Sequence, residues 1–211
     1  MKILAQWAGA ALLLGSAFLA APSAVAQTDD AQICAKSDNS EEIIAACTRA
    51  IGSGRWQGKA LAWAYTNRGV GHERAGNFER AVADHTVAIR LDPQTADGYL
   101  NRGIAHRRLK QYDKAIADYT QALKLDPNGA DIYSNRGNVY SDIGNYRDAI
   151  DDYNQAIRID PNYVRAYNNR GLAYESLGNK ERAIEDFRQA QRVDPNHENS
   201  RVNLERLGVK P

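Results

Sequence analysis

The stretch "YSNRGNVYSDIGNYRDAIDDYNQAIRIDPN", residues 133–162, carries two apolar stripes of helical spacing, parted by a turn and closed by a proline. Tyr133, Gly137, Tyr140 and Ile143 follow the helical period, Gly144-Asn145 breaks it, and Ala149, Ile150, Tyr153, Ala156 and Ile157 resume it. Asp160-Pro161 ends the second run, because proline disfavours helix in the residue before it. Gly137, Ala149 and Ala156 let two helices approach closely, and Tyr133, Tyr140 and Tyr153 fill the space around them. One such hairpin cannot bury its own apolar face, so it has to stack on others.

The partners are in the same chain. The opening YSNRG returns as YTNRG at 65, YLNRG at 99 and YNNRG at 167, at steps of 34 residues. Ala81, Ala115, Ala149 and Ala183 share that step, as do Ala88, Ala122, Ala156 and Ala190, and Pro93, Pro127, Pro161 and Pro195 behind their aspartates. A fixed period in this range marks a stacked-repeat architecture. The units are 62–95, 96–129, 130–163 and 164–197. Upstream, Ala50-Ile51 lines up with Ala88-Ile89 at a step of 38, and "GSGRWQGK" supplies the extra length. Residues 31–51 thus read as a degenerate first half-repeat, within a segment 27–61 that ends in a linker. Residues 198–211 read as a polar capping helix and tail, with Val202, Leu204 and Leu207 set to lie on the last repeat.

In its small, aromatic and proline positions the quoted stretch resembles a tetratricopeptide repeat, and the four units together cover about two thirds of the chain. The resemblance implies an all-α, right-handed superhelical solenoid whose concave face holds a peptide or protein partner. It implies no cofactor and no catalytic residue. Where the family usually has Leu, this chain has Arg68, Arg102, Arg136 and Arg170. Four buried guanidiniums need partners. Asp84, Asp118, Asp152 and Asp186 recur at the same step in the second helices, so an Arg–Asp ladder of structural ion pairs is expected.

One residue before each Arg, and about 100° round the helix, stand Asn67, Asn101, Asn135 and Asn169. On the resemblance these face the groove, where an amide can bond a peptide backbone in both senses. The opposing reading leaves them solvated or bonded to neighbours. Ile104, Arg108, Asn138 and Leu172 join them as expected peptide-binding residues. Trp63, Val70, Glu73, Arg74, Asp97, Leu100, Arg107, Asp131, Asp142, Arg165 and Glu175 also fall on that side by helical spacing. Some relatives grip a C-terminal carboxylate with a set of Lys, Asn and Arg. Here Thr66, Val70 and Asp131 occupy matching places, which argues against that clamp.

The beginning of the chain is of another kind. "MKILAQWAGAALLLGSAFLAAPSAVAQ" has a basic start, an apolar middle and Ala24-Val25-Ala26, the form of a cleavable signal peptide over 1–26. A periplasmic or secreted location follows, with no membrane insertion after cleavage. Lys2 is the leader's only charge, so of the 27 basic residues 26 remain against 26 acidic ones. A neutral surface of mixed sign offers no footprint for nucleic acid and leaves homo-oligomers open. Export also predicts a disulfide between the two cysteines, Cys34 and Cys47.

No motif in the sequence marks a site of reaction. "GSGRWQGKA" fails the phosphate-loop pattern, with Ser53 where Gly should be and Ala60 after Lys59. His72 and His106 stand where later units have Tyr140 and Tyr174, and His85 where they have Tyr119, Tyr153 and Phe187. Three imidazoles suffice for a zinc site with an open position. They are expected to replace core aromatics with their ring nitrogens satisfied, which leaves a peptide-binding module as the first expectation. The alternative is a scaffold subunit of an envelope complex acting through its edges or convex face.

Overall fold

The computed structural model describes residues 24–210, so the expected leader lies outside the described residues except for Ala24–Ala26. Eleven α-helices follow one another, with no strand among the described residues. They are α1 (Ala24–Lys36), α2 (Ser40–Gly52), α3 (Ala62–Arg74), α4 (Phe78–Leu91), α5 (Ala96–Arg108), α6 (Tyr112–Leu125), α7 (Ala130–Asp142), α8 (Tyr146–Ile159), α9 (Val164–Ser176), α10 (Lys180–Val193) and α11 (Glu198–Arg206). A short 3-10 turn, Gly58–Leu61, precedes α3. Each helix packs on the next, as the solenoid reading requires. The first helices of successive repeats (α3, α5, α7, α9) also touch one another, whereas the second helices do not touch appreciably. The stack therefore curves with the first helices on its inner side.

Within a repeat, glycine and aromatic ring interlock. A Cβ added at Gly103 would stand 2.7 Å from the Tyr119 ring, and one at Gly171 2.6 Å from that of Phe187. Only hydrogen fits there, which explains the last letter of the recurring pentapeptide. The turns between paired helices use left-handed residues, Gly76, Gly144 and Gly178, with Lys110 at φ 57° in the second repeat.

The Arg of the pentapeptide has three sets of partners. Arg136 donates from Nε and Nη2 to the two carboxylate oxygens of Asp152, both at 2.8 Å, and from Nη1 to Thr120 Oγ1 of the preceding repeat at 3.1 Å. Arg68, Arg102 and Arg170 repeat this fork on Asp84, Asp118 and Asp186. Their Nη1 groups reach back to Thr48, Thr86 and Asn154. Three residues before each Arg, the rings of Tyr65, Tyr99, Tyr133 and Tyr167 lie under the guanidiniums at 5.4–5.8 Å. The aspartates are buried. Burial pushes the Asp152 and Asp186 carboxyls up, against the pull of their arginines.

The ends differ from the sequence reading in detail. Ahead of α3 stands a complete helical hairpin, α1 and α2, where the sequence reading expected only a second helix over 31–51. The reason is that α1, "AVAQTDDAQICAK", has no apolar stripe to reveal it. Cys34 and Cys47 form a disulfide that ties α1 to α2, and both are buried with Ile43 and Ala46 beside Trp63. At the other end Leu204 is fully buried and Leu207 packs beside it on the last repeat. Val202 instead faces solvent at 45% exposure, being two residues, about 200°, from Leu204.

The three histidines do not gather, and, against the expectation that their nitrogens are satisfied, Nδ1 of His72 and Nδ1 of His85 are buried with no partner among the described residues. His85 Nε2 lies 3.0 Å from Glu73 Oε1, and His106 Nδ1 2.8 Å from Gln111 Oε1. His72 and His106 each place Nε2 3.8 Å from the aspartate of their own repeat. Among the described residues no group of three or more His, Cys, Asp or Glu side chains is placed to hold a metal ion. Burial holds the His72 and His106 pKa values below the ordinary one, with Asp84 and Asp118 opposing.

Two outcomes test this core. Arg136→Leu leaves Asp152 buried without its cation and should lower stability in urea by about 3 kcal/mol; Arg136→Leu with Asp152→Ala should recover more than half of that. A single-variant loss no greater than that of the pair would show that the ion pair is not coupled. For the histidines, the unfolded chain binds more protons than the folded one between the ordinary pKa of about 6.5 and the depressed folded value. Stability is therefore full above that range and is lost as pH falls through it. His72→Tyr with His106→Tyr, which copies the later repeats, should shrink the fall in Tm between about pH 7 and about pH 5 by about 3 °C; an equal fall in both proteins would refute the assignment.

Candidate functional site

The inner face is built from the exposed sides of α3, α5, α7 and α9. Their asparagines are all half-buried but are not alike. Asn135 donates from Nδ2 to the carbonyl of Asp131 at 2.9 Å, a bond within its own helix. Asn169 donates to Asn138 Oδ1 at 2.9 Å across the repeat boundary. The same Asn138 oxygen accepts the Tyr153 hydroxyl at 2.8 Å. No side-chain hydrogen bond engages Asn67 or Asn101 among the described residues. The expected row thus divides into two amides open to a ligand, one with its oxygen open, and one bound into a network.

The next inner row is Val70, Ile104, Asn138 and Leu172. It sits over the ring position held by His85, Tyr119, Tyr153 and Phe187, and the two rows vary together. Tyr153 has Asn138 for its hydroxyl, and Phe187 needs nothing beside Leu172. Tyr119, beside Ile104, buries its hydroxyl with no partner among the described residues. Burial pushes the Tyr119 and Tyr153 phenols far above their ordinary pKa, so both stay protonated as donors.

Two ion pairs cross the inner face. Arg107 of α5 forks onto Asp142 of α7, at 2.7 Å from Nε and 3.2 Å from Nη2. Arg206 of α11 forks onto Glu175 of α9 at 2.5 and 2.6 Å, which holds the Glu175 carboxyl below the usual range. The sequence reading placed Arg107, Asp142 and Glu175 on this face without pairing them. For Arg107 and Asp142 a spacing of 35 with opposite sign, one more than the repeat, was the available signal; Arg206 and Glu175, 31 apart, offered none at the repeat step. Arg108 remains exposed. Leu172 is 38% exposed.

Between α5, α7, α8 and α9 these groups enclose an open pocket of about 370 Å³, lined by Arg107, Asn138, Asp142, Tyr153, Asn169 and Leu172 among others. It offers a guanidinium, a carboxylate and two amides around one apolar side chain. Such a mixture suits a polypeptide backbone with an apolar side chain better than it suits bond-making chemistry. Of the expected peptide-binding residues, Asn138, Asn169 and Leu172 meet here. Asn67 lies in a separate pocket with Trp63, and Asn101, Ile104, Asn135 and Arg108 lie outside both. No helix among the described residues is long and apolar enough to cross a membrane.

Comparison with known proteins agrees with this architecture. A family model described as TPR repeat matches residues 105–144 and 137–178, and one described as Tetratricopeptide repeat matches 164–197. No curated protein matches the chain. Among solved structures, the Arabidopsis OM64 TPR domain is 33% identical, over 55% of this chain and 95% of its own, with a TM-score of 0.53. A crystal structure of MamA is 26% identical, over 74% of this chain and 89% of its own, with a TM-score of 0.66. The first TPR of Spaghetti (RPAP3), solved bound to the HSP90 peptide SRMEEVD, is 27% identical over 56% of this chain and 93% of its own, with a TM-score of 0.53. With matching repeat models, a like domain in Arabidopsis and hairpins stacked at a 34-residue step, this chain belongs to the tetratricopeptide repeat family.

Proposed function

We propose that this protein is an exported interaction module that holds an extended segment of a partner protein along its inner face in the periplasm. Tetratricopeptide repeats are interaction modules rather than catalytic domains, and the similar Spaghetti domain was solved with a peptide bound. The observation that carries the reading here is the 370 Å³ pocket, where amides, a paired guanidinium and an exposed leucine converge on one concave surface. The leader-like first 26 residues support export, and the buried Cys34–Cys47 disulfide fits an oxidising compartment. Binding rests on open amides at Asn67 and Asn101, the open oxygen of Asn135, and apolar contact at Ile104 and Leu172. Affinity for a short peptide is therefore modest, about micromolar.

A second reading makes the chain a scaffold joined to an envelope complex through its edges. Its support is the pair Ile143 and Leu177, 46% and 47% exposed, which repeat the same position at the tip of successive hairpins. The two are separable. With a reduced, carboxymethylated polypeptide as an unfolded probe, Asn101→Ala with Asn135→Ala should weaken binding about tenfold by fluorescence anisotropy, and Leu172→Arg should do at least as much. Unchanged affinity in both variants would remove the inner face from the function. Loss of binding in Ile143→Ser with Leu177→Ser alone would move it to the edge.

A further inference from the structure

The place where the period slips from 34 to 38 residues has a structure of its own. The extra residues between α2 and α3 fold into the 3-10 turn Gly58–Leu61, which lies across α3 and α4. Lys59 Nζ anchors it, 3.2 Å from Asp92 Oδ1 at the end of α4. Between this turn and the first inner helices is a second pocket, of about 300 Å³. Its floor is small and apolar, from Ala60, Ala62, Ala88 and Gly98. Trp63 forms the wall, with Trp56 edge-on behind it at 5.1 Å between ring centroids. Thr66, Asn67 and Asp97 supply the polar rim.

Charge around this pocket does not balance. Its one cation, Lys59, is committed to Asp92, which also accepts from the Thr95 hydroxyl at 2.7 Å. Asp97 is exposed and carries no ion pair among the described residues. A place in the first turn of α5 accounts for an acidic residue through the helix dipole, but not for an aromatic wall and an apolar floor beside it. A long aliphatic stem with a cationic head fits this combination: the stem against Ala60, Ala88 and the indole, the head between the Asp97 carboxylate and the aromatic face.

We propose that this pocket receives a basic side chain of the bound segment, arginine in preference to lysine, and so gives the inner face a specificity its amides lack. This deepens the inner-face reading and rests on it for the identity of the ligand as part of a polypeptide. Guanidinium is favoured because it is planar, is weakly hydrated and stacks on aromatic faces as ammonium does not.

The pocket can be tested without the rest of the groove, using N-acetylarginine amide and its neutral isostere N-acetylcitrulline amide on ¹⁵N-labelled protein. The Trp63 indole signal, assigned through Trp63→Phe, should shift saturably with the arginine compound. Citrulline should bind at least about fivefold more weakly, and Asp97→Asn should erase the difference, while Asp131→Asn, one repeat on, should leave it intact. No shift, equal shifts for both compounds, or a difference that survives Asp97→Asn would overturn the proposal. The arginine–citrulline comparison on wild type stands even where a variant folds poorly. Failure of the unfolded probe together with success here would reject the inner-face reading and keep a cation pocket. The reverse would keep the groove and reject the pocket.

Discussion

A guanidinium in the seam between helices needs acceptors on more than one side, and the stacking of this protein follows from how that demand is met. Each repeat supplies an aspartate for two donors and a tyrosine face below. It does not supply the acceptor for Nη1, which comes from Thr48, Thr86, Thr120 or Asn154 in the hairpin before. Every Arg thus makes its third bond only when its repeat is seated on the previous one. A leucine there, as in the usual family pattern, would bury well in several registers. A buried ion pair need not exceed an apolar contact in stability; what the Arg adds here is a directional bond to the hairpin before it. The row reaches Thr48, so the stapled hairpin α1–α2 takes part as the first member of the stack despite its irregular spacing.

This explains which features were legible in the sequence. Packing repeats, so the residues that pack repeat: Gly103 against Tyr119, Gly171 against Phe187, and the Arg–Asp forks all follow the same step. Buried charge demands opposite charge, and only one acidic row shares the period of the arginines. Helix α1 was not legible because its sequence leaves no apolar stripe at helical spacing. Val202 was misplaced because an apolar residue on a short terminal helix has no second copy against which its phase can be checked.

The inner face was less legible, for a physical reason. Its side chains are not held by packing, so repeats differ there, and what each amide does depends on one neighbour. Asn169 is drawn into a network because Asn138 stands one repeat earlier and Asn168 donates to its oxygen; at the places corresponding to Asn138, Asn101 has Val70 and Asn135 has Ile104. Composition alone could not separate these cases. The Tyr153–Asn138 bond against the orphaned Tyr119 hydroxyl is the same effect seen from the core side. A row identical in sequence is therefore graded in chemistry, from open at α3 and α5 to occupied at α9.

That gradation bears on how such a surface holds a partner. Arg107–Asp142 joins α5 to α7, and Arg206–Glu175 joins the cap to α9. Both cross the inner side of the stack, where a change in curvature would stretch them, and the Arg forks in the seams hold each pair of repeats in register. On the proposed reading, these contacts bias the stack toward one curvature before a segment docks. Ordering then falls mainly on the partner. On the proposed reading, an extended segment meets the Leu172 pocket and the Trp63 pocket at a spacing set by the stack. Selectivity can arise from that distance even where each contact alone is weak.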